Sequence, residues 1–446
     1  MQNSTAGQPT DSNRVWPTVA IVGVGYIGLP LAMSYARLGC RVIGVDVNES
    51  YVAHLQQGMT DSVEQYEGLP LSHYLKEAIA SNSFTATTDF AQAAKESNIY
   101  IVTVGIPIYQ GIPSYDAIDA ATTSLAKVVK SGDLILYRST HIPGTVRERL
   151  IPLLQSLSPY EMGRDVHVAY APERVAEGRA MEEFQTVDVL VGGVNESSLA
   201  HAMEVLRVIN RATLHPTSID MAEIVKVVEN VQRDVNIAMI QEIAKYVQAV
   251  GLQTSELVQL ANTHPRVQLM VPGAGVGGYC IPNAYYYLQY NADKMGVDLP
   301  ILSAARKTND IVPMTILNRI ERKLNWSATS WQGVRVAVLG LAMKNYSNDD
   351  RISPSIALVH EIEKRHAVVK AYDSLVAAEK YPTFAKKSLS ECVKDAEIIL
   401  VTIRQEEWDQ LEFAELLQEA KQCRLVFDAC VAIRAHGNED IPLLRM

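Results

Sequence analysis

The sequence predicts an α/β protein in which two strand–helix blocks flank a helical middle section. Short apolar runs alternate with helix-like segments over residues 17–212 and again over residues 329–446. Between the blocks, the stretch that begins at Ser218 contains neither glycine nor proline before Gly251. In chain order, the predicted divisions are a flexible leader (1–16), a sheet domain (17–212), a helical domain (213–328) and a second sheet domain (329–446).

Composition and charge exclude several classes of function. The chain has 446 residues, enough for several domains, and its net charge of −10 argues against nucleic acid or an anionic membrane as the main partner. No apolar run reaches the ~20 residues that a membrane span needs. The five cysteines are scattered without a CxxC pair, which favours neither a zinc site nor a disulfide framework. These features fit a reduced cytoplasmic enzyme without a metal site.

The first block begins with a strand, a glycine-rich turn and a helix. "TVAIVGVG" is an apolar run typical of a buried strand, and "IGLPLAMSYARLG" has a helical pattern that ends at Gly39. The next strand is "CRVIGVDVN", and four further apolar runs follow: "NIYIVTVG", "GDLILYRST", "HVAYAP" and "VDVLVGG". Continuous Val, Ile and Leu runs between helices predict a parallel sheet that is covered on both faces.

The turn after the first strand has the spacing of a dinucleotide-binding loop. Gly23, Gly25 and Gly28 follow the pattern GxGxxG directly between a strand and a helix. The first glycine permits the tight turn, the second lets backbone N–H groups approach a pyrophosphate, and the third lets the helix pack on the strand. Asp46 ends the next strand, where a carboxylate accepts a ribose 2′-hydroxyl and repels a 2′-phosphate, so NAD is expected rather than NADP. The alternative is a glycine-rich turn in a sheet that binds no ligand.

The middle section predicts one long helix from about Ser218 to Val250, which would suit a spine between domains or a dimer interface. Lys226 and Asn230 lie four residues apart and therefore share a face of this helix. Together they could hold a water molecule or an oxyanion. The alternative is an ordinary solvated helix face.

A second candidate site lies in "VPGAGVGGYCIPNAYYYL", where Cys280 follows a cluster of glycines. Backbone N–H groups around a thiol favour its reactive form, and glycines let a substrate approach closely. A nucleophile and a buried small apolar side chain are both consistent with a single cysteine in this setting.

The second strand–helix block begins after a polar break at "NWSATSWQG" and repeats the pattern of the first. The runs "VRVAVLGLA", "AVVKAYD", "AEIILVTI" and "CRLVFDAC" predict strands, and the segment from Ser353 to Arg365 predicts a helix. We therefore expect a second, smaller α/β domain.

Seven motifs in order give the chain a resemblance to a known family. They are "GVGYIGLPLA", "GVDVNESYVAHLQQG", "STHIPGT", "PERVAEG", "AEIVKVVEN", "PGAGVGGYC" and "GLAMK" with "RISPS". From about Thr18 to Val431 the chain resembles the UDP-glucose/GDP-mannose dehydrogenases, NAD-dependent enzymes that oxidise C6 of a nucleotide sugar from alcohol to carboxylate. "HPRV" and "GVGGYCIP" resemble the branch that acts on UDP-N-acetylhexosamines more than the glucose branch.

The resemblance implies an N-terminal Rossmann NAD-binding domain, a central helical dimerisation domain and a C-terminal Rossmann-like UDP-binding domain. It implies that Cys280 forms a thiohemiacetal and then a thioester. The other implied catalytic residues are Lys226, Asn230, Thr140 and Glu173. The implied cofactor contacts are Gly23, Gly25, Tyr26, Ile27, Gly28, Asp46, Gly105, Thr140, Glu177 and Arg351. The implied substrate contacts are Glu173, Arg174, Val175, Lys226, Asn230, Arg266 (reaching from a neighbouring subunit), Gly273, Gly275, Gly277 and Lys344.

Four positions depart from the family pattern. Ala284, preceded by Asn283, stands where the family carries an aspartate, and Ile106 replaces a threonine. His141 replaces a small apolar residue, and Cys430 replaces an arginine that contacts substrate. Loss of a catalytic base lowers rates by about 10²–10⁴-fold. We therefore expect an unusual nucleotide sugar, slow hydrolysis of the thioester, or both.

The expected partners are a UDP-sugar and further copies of the same chain, with neither nucleic acid nor membrane. Two alternative enzymes stay open: a UDP-glucose 6-dehydrogenase, and a two-electron dehydrogenase of the hydroxyacid type, which would not need Cys280. A catalytically impaired nucleotide-sugar sensor is the alternative of another class. The presence of Cys280, Lys226 and Asn230 together favours an enzyme over a sensor.

Overall fold

The structure, a computed structural model, describes residues 16–435 and 441–446. The expected flexible leader, except Trp16, therefore lies outside the described residues. The chain divides into two compact units. Unit 1 runs to Ile106 and includes Ser114–Lys226, and unit 2 comprises Pro107–Pro113 and Val227–Met446. The domain boundaries placed at 212 and 328 from the sequence stay predictions.

Strands and helices alternate in both units. In chain order, the strands are β1 (Thr18–Val22), β2 (Arg41–Val45), β3 (Gln65–Tyr66), β4 (Leu69–Pro70), β5 (Phe84–Thr87), β6 (Ile99–Val102), β7 (Ile108–Tyr109), β8 (Ile112–Pro113), β9 (Leu134–Tyr137), β10 (His167–Tyr170), β11 (Val189–Gly193), β12 (Leu214–Thr217), β13 (Arg335–Leu339), β14 (Val368–Tyr372), β15 (Ile398–Val401), β16 (Leu425–Asp428) and β17 (Leu443–Arg445). The α-helices are α1 (Gly28–Arg37), α2 (Glu49–Gln56), α3 (Leu71–Ala80), α4 (Phe90–Glu96), α5 (Asp116–Ala126), α6 (Ile151–Leu157), α7 (Ala180–Thr186), α8 (Glu196–Arg207), α9 (Ile219–Ala249), α10 (Thr254–Ala261), α11 (Cys280–Met295), α12 (Pro300–Asp310), α13 (Val312–Leu324), α14 (Pro354–Glu363), α15 (Leu389–Val393) and α16 (Phe413–Leu417).

Unit 1 is built on an eight-stranded sheet with the order β12-β11-β10-β9-β6-β1-β2-β5. Neighbouring strands in this sheet are parallel except β10 and β11, which run antiparallel with Ala169 opposite Gly193. The predicted parallel sheet is therefore wrong for this one pair. The residues of β6 and β9 are all buried, which explains their uninterrupted apolar sequence.

The antiparallel pair keeps one functional segment at the carboxyl edge of the sheet. β10 ends at this edge, and because β11 runs in the opposite direction it also begins there. The connection over residues 171–188, which contains "PERVAEG", therefore leaves and re-enters the sheet at the same edge. The loops after β1, β2, β6 and β9 also leave from this edge, where parallel α/β sheets bind their ligands.

The long helix predicted from about Ser218 to Val250 is confirmed as α9, which has 31 residues. It has no glycine or proline to interrupt it, and it ends before Gly251, whose φ of +79° is the left-handed conformation common just past a helix end. The helix begins in unit 1 and continues in unit 2. Among the described residues, no helix is both long enough and apolar enough to cross a membrane.

Unit 2 contains most of α9, the helices α10 to α13 and a five-stranded sheet with the order β14-β13-β15-β16-β17. All neighbouring pairs of this sheet are parallel, which confirms the second, smaller α/β domain. Its core packs around residues such as Trp331 and Phe427. The helix predicted from Ser353 is α14, and the Ser353 hydroxyl caps it by accepting the N–H of Ser355 at 3.2 Å.

A buried ion pair joins α9 to α12 within unit 2. Asp234 and Arg306 are 1% and 2% exposed, and Arg306 Nη1 donates to Asp234 Oδ1 at 2.7 Å. Asn309 Nδ2 donates to the same carboxylate oxygen at 2.7 Å. Burial raises the pKa of Asp234, and the smaller opposing effect comes from the positive charge of Arg306. The carboxylate of Asp234 therefore depends on Arg306 and Asn309 to remain charged while it is buried.

We expect Arg306→Ala to lower the free energy of unfolding by about 3–5 kcal/mol, because the Asp234 carboxylate would lose its counter-charge. Lys307→Ala, at an exposed position on the same helix, is the matched control and should change it by less than about 0.5 kcal/mol. Urea unfolding measures both. The folded-state pKa of Asp234 is raised, and at low pH this carboxyl group is neutral in both the folded and the unfolded state. The loss in free energy of unfolding caused by Arg306→Ala should therefore become smaller as the pH falls through the acid range. A deficit that equals the control's, or that does not vary with pH, would contradict this account.

Candidate active site

The three glycines after β1 each meet a different requirement. Gly23 has a φ of +88°, which a glycine adopts without strain. A Cβ at Gly28 would meet the backbone oxygen of Gly23 at 1.9 Å, so α1 packs on this turn because the side chain is missing. A Cβ at Gly25 would meet nothing within 4 Å, which leaves the backbone there open to a ligand. These three roles match those of a dinucleotide loop.

The carboxylate of Asp46 lies beside the same loop. Its Oδ2 accepts the N–H of Val24 at 3.2 Å, and its Oδ1 accepts the N–H of Asn48 at 3.1 Å. An ionised carboxylate has further lone pairs, so Asp46 can still accept from a ribose hydroxyl. Tyr26 and Gly105 are exposed in the loops after β1 and β6, at the same edge of the sheet. Ile27, which was also predicted to contact the cofactor, is the half-buried N-cap of α1. The open backbone at Gly25 and the carboxylate of Asp46 fit NAD.

Glu173 is held by three donors. Its Oε1 accepts the N–H of Arg174 at 2.7 Å and that of Val175 at 3.1 Å, and its Oε2 forms an ion pair with Arg138. Arg138 is only 2% exposed and was missed from the sequence, although a cation inside the apolar run "LILYRST" is unusual enough to have drawn notice. The ion pair anchors the loop that carries Glu173. Since both carboxylate oxygens already accept hydrogen bonds, the arrangement favours an anchor over a proton-transfer group.

Thr140 lies in the loop after β9, next to a buried histidine. His141 is fully buried and stacks on Tyr170 with ring centroids 5.2 Å apart. Its Nδ1 lies 3.8 Å from the carboxylate of Glu223 on α9, and this carboxylate also accepts two backbone N–H groups of the loop, at 2.7 and 2.9 Å. Glu223 therefore ties the Thr140 loop to α9 one turn before Lys226. The imidazole that departs from the family pattern fills a space between aromatic rings.

Cys280 is the exposed cysteine among the five. It is the first residue of α11, where backbone N–H groups have no partner within the helix and the helix dipole is positive. The other four thiols are buried, and burial raises the pKa of Cys392 to about 12 and that of Cys423 to about 11. Exposure and position therefore favour a nucleophile at Cys280 over a buried apolar side chain.

Asn230 connects α9 to the start of α11. Its Nδ2 donates to the backbone oxygen of Cys280 at 3.1 Å, and the residue is buried. Lys226 lies one turn earlier on the same helix and is half-buried. Asn230 is therefore not part of a solvated helix face, and it touches the residue proposed from the sequence as the nucleophile.

The glycines before Cys280 serve packing within the protein. A Cβ at Gly277 would meet the backbone oxygen of Ile352 at 2.6 Å, and a Cβ at Gly275 would meet Pro354 Cβ at 2.8 Å. At Gly273, by contrast, a Cβ would meet nothing within 4 Å. The sequence suggested that these glycines admit a substrate. For Gly275 and Gly277 the structure gives a different reason, which is the close approach of the segment that follows β13.

Arg351 also stabilises the contact between the glycines before Cys280 and the segment that follows β13. Its guanidinium binds the buried carboxylate of Asp349 through Nε at 2.7 Å and Nη2 at 2.6 Å, and it lies 5.0 Å from the ring centre of Tyr279. Its backbone oxygen accepts the N–H of Gly278 at 2.9 Å. Within unit 2, the residue expected to contact the cofactor thus helps to fix the two residues that precede Cys280.

The other predicted ligand contacts are spread over three loops. Lys344 is half-buried in the loop after β13, and Arg266 is exposed between α10 and α11. Glu177 is half-buried in the loop after β10, and Arg174 Nη1 in the same loop donates to the backbone oxygen of Asp188 at 2.8 Å. Their roles toward cofactor and substrate stay predictions.

The positions that depart from the family pattern are buried. Ala284 is fully buried and Asn283 nearly so, in the first turns of α11, and Ile106 is buried in unit 1. Burial and the neighbouring Asp428 carboxylate raise the pKa of the Cys430 thiol well above its usual range. These side chains therefore serve packing, and none of them can supply the base or cation that the family pattern has there.

Comparisons with known proteins agree with the architecture of both units. Three domain profiles of one family match the chain: the NAD binding domain at residues 17–210, the central domain at 220–311 and the UDP binding domain at 337–435. The chain belongs to the UDP-glucose/GDP-mannose dehydrogenase family. It is an NAD-dependent UDP-sugar dehydrogenase, and the resemblance based on the seven motifs is confirmed.

The relatives of this dehydrogenase match it over most of their length. A UDP-N-acetyl-D-mannosamine dehydrogenase of Pyrococcus horikoshii is 31% identical over 410 residues, which cover 92% of this chain and 94% of that protein. A UDP-N-acetyl-D-glucosamine 6-dehydrogenase of Pseudomonas aeruginosa is 32% identical over 364 residues, which cover 81% and 83%. A solved UDP-D-ManNAc dehydrogenase structure from Pyrococcus horikoshii has a TM-score of 0.87 at 30% identity, with 96% of this chain and 98% of that chain covered. The predicted fold class and NAD as the cofactor are thereby confirmed.

The packing before Cys280 predicts a contrast between two residues of the same segment. Gly277→Ala should lower NADH production from a UDP-sugar by about 10²-fold, because the added methyl group would meet backbone and side-chain atoms at 2.6–2.8 Å and displace the start of α11. Val271→Ala, at an exposed position of this segment, is the matched control and should stay close to the unsubstituted rate. Initial rates and thermal unfolding of both variants provide the test. Equal rates for the two would show that the close approach does not position the thiol.

Proposed function

We propose that this dehydrogenase oxidises C6 of a UDP-N-acetylhexosamine twice, from alcohol to carboxylate, through covalent intermediates on Cys280. The observation that carries the proposal is the exposed Cys280 at the start of α11, with Asn230 bound to its backbone oxygen. The names of the relatives, which act on UDP-N-acetyl-D-mannosamine and UDP-N-acetyl-D-glucosamine, support the substrate class. A two-electron oxidation of the hydroxyacid type would give this exposed thiol no task.

The proposed reaction combines two hydride losses from C6 with the formation and cleavage of a C–S bond at Cys280. Bound NAD supplies the hydride acceptor, and two equivalents take up the four electrons removed from each sugar. Once C6 is an aldehyde, the Cys280 thiolate attacks it, and the carbonyl oxygen takes up a proton to give a thiohemiacetal. Loss of the second hydride from C6 and of the hydroxyl proton leaves a thioester. Water then cleaves its C–S bond to release the uronate and the free thiol.

The residues around the reacting carbon have separate tasks. Lys226 stabilises negative charge on the C6 oxygen, or acts with a water molecule as the base, and Asn230 orients the same oxygen. Thr140 helps to position the hydrolytic water. Glu173, with its two backbone donors and Arg138, fixes the loop that contacts substrate and is assigned no proton transfer.

The two ligands are assigned to two sets of residues. The NAD contacts are Gly23, Gly25, Tyr26, Ile27, Gly28, Asp46, Gly105, Thr140, Glu177 and Arg351. The substrate contacts are Glu173, Arg174, Val175, Lys226, Asn230, Arg266, Gly273, Gly275, Gly277 and Lys344. Charge-assisted hydrogen bonds to a diphosphate explain why cations are needed in the second set.

Hydrolysis of the thioester is the step most affected by this chain's own sequence. Ala284 has no group to accept a proton, and Asn283 can hold a water molecule but cannot act as a base. Both side chains are buried, so neither position offers a solvated replacement for a carboxylate. We therefore expect hydrolysis, rather than hydride transfer, to limit turnover.

We also propose that the enzyme works as a homodimer or larger homo-oligomer in the cytoplasm, in the synthesis of a polysaccharide. Five apolar residues on α9 are between 41% and 71% exposed: Met221, Ile224, Val228, Met239 and Tyr246. At 100° per residue they fall within about 60° of one another around the helix axis. An exposed apolar stripe along a 31-residue helix is typical of a surface that associates with a second copy.

The function is tested by incubating the purified protein with NAD and, separately, UDP-N-acetylmannosamine, UDP-N-acetylglucosamine and UDP-glucose. We expect two NADH for each uronate from an N-acetylhexosamine. A higher rate with UDP-glucose would assign the enzyme to the glucose branch, and no NADH from any of the three would favour a sensor. Cys280→Ala should lower uronate formation by at least about 10³-fold, while Cys423→Ala, which removes a buried thiol, should leave it nearly unchanged. Normal uronate formation by Cys280→Ala would refute the covalent mechanism.

The assembly has its own test. Tyr246→Glu, which places a charge in the apolar stripe of α9, should shift the protein toward the monomer in light-scattering chromatography. Arg233→Glu, at an exposed position on α9 about 140° from Tyr246, is the control and should not change the mass. If both variants keep the mass of the unsubstituted protein, the stripe is not the interface.

A further inference from the structure

We propose that Arg404 is a positioning residue for nucleotide binding, because it joins three loops at the carboxyl edge of the second sheet and holds a strained turn in one of them. The inference rests on the proposed function only in taking this sheet as the place where the UDP group binds, in agreement with the UDP binding domain matched over residues 337–435.

The three loops leave the sheet side by side. β13, β15 and β16 are parallel neighbours, with Leu339 paired to Val401 and Val401 paired to Asp428 at their carboxyl ends. The loops after them begin at residues 340, 402 and 429. Ligands of parallel α/β sheets bind just beyond such strand ends. The first of the three loops carries Lys344, the cation already assigned to substrate.

The backbone of Arg404 is bound to the Lys344 loop. Its N–H donates to Asn345 Oδ1 at 2.9 Å, and its carbonyl oxygen accepts the N–H of Tyr346 at 3.0 Å. The two residues that follow Lys344 therefore take their position from Arg404. A shift of the second loop would move the Lys344 loop with it.

The side chain of Arg404 is bound to the third loop. Its Nε donates to the backbone oxygen of Cys430 at 3.0 Å, and its Nη2 donates to that of Val431 at 2.8 Å. A planar guanidinium is suited to such a two-point contact with consecutive carbonyl groups, whereas a lysine offers one point of charge. Arg404 thus fixes the orientation of two successive peptide units.

These peptide units are strained. Val431 has a φ of +57°, and among the described residues only Val431 and Ile352 are β-branched at positive φ. The buried carboxylate of Asp428 accepts the N–H groups of Cys430 at 3.2 Å, Ala432 at 3.1 Å and Ile433 at 2.9 Å. Such strain persists when surrounding contacts over-determine the backbone, and it concentrates at ligand sites. Here Asp428 holds the amides of the turn and Arg404 holds its carbonyl groups.

The contacts of Arg404 also concern position 430, where this chain has a cysteine and the family pattern has an arginine. Cys430 is buried against Asp428 and cannot reach a phosphate. The guanidinium of Arg404, from the neighbouring loop, lies beside this residue and donates to its backbone oxygen. Because two of its donors are used by backbone oxygens, its effect on the nucleotide is exerted through the shape of the turn and the place of the Lys344 loop.

Titration calorimetry of the full chain with UDP tests the inference, with kcat and KM measured for the UDP-sugar. Arg404→Ala should weaken UDP binding about tenfold and raise KM by a similar factor, with kcat little changed. Arg434→Ala is the matched control, because that arginine lies in the third loop, is 57% exposed at its side chain and donates to Gln410. It should leave the affinity for UDP within about twofold.

A double variant separates positioning from direct contact. Glycine adopts positive φ without strain, so Val431→Gly in the Arg404→Ala background should return the affinity for UDP to within about threefold of Val431→Gly alone. Failure of this rescue, or equal affinity of Arg404→Ala and the unsubstituted chain, would overturn the inference. If Arg404→Ala does not fold, as judged by thermal unfolding, Arg404→Gln is used with the same expectations. No UDP binding by the unsubstituted chain would instead refute the proposed function, and the inference with it.

Discussion

The place of Cys280 depends on the close approach between the glycine-rich segment before it and the segment that follows β13. At Gly277 the backbone oxygen of Ile352 lies where a side chain would begin, and Arg351 binds the N–H of Gly278 and stacks on Tyr279. Because the contact is made by backbone, it tolerates little displacement. The same segment carries Lys344, so within unit 2 the thiol and a predicted nucleotide contact are parts of one packed structure.

Carboxylates at strand ends organise the loops of both sheets in the same way. Asp46 follows β2 and accepts the N–H of Val24, in the loop after the neighbouring β1. Asp373 follows β14 and accepts the N–H groups of Leu341 at 2.8 Å and Ala342 at 3.1 Å, in the loop after the neighbouring β13. The two sheets thus use one device to set the first loop of each ligand edge. At Asp46 it is combined with the open backbone of Gly25, which suits NAD.

Patterns that depend on local spacing could be predicted from the sequence, and patterns that depend on distant contacts could not. The glycine loop, α9 and Cys280 follow from periodicity and motif. The antiparallel pairing of β10 and β11 could not be predicted, because a run of apolar residues indicates a buried strand but does not indicate its direction. The ion pair of Arg138 with Glu173, 35 residues apart, and the packing that Gly275 and Gly277 require also needed the structure. The same holds for Arg404, whose partners follow 26 and 27 residues later in the chain.

Covalent capture of the sugar on Cys280 is the step on which the proposed chemistry depends. The most direct measurement is peptide mass spectrometry of the enzyme after acid quenching during turnover with NAD and a UDP-N-acetylhexosamine. Because Ala284 and Asn283 supply no base for hydrolysis, the thioester should accumulate. The peptide that contains Cys280 should then carry the mass of the nucleotide uronosyl group, and hydroxylamine should remove it. Two NADH per sugar without any adduct on Cys280, or an adduct on a different residue, would contradict the mechanism.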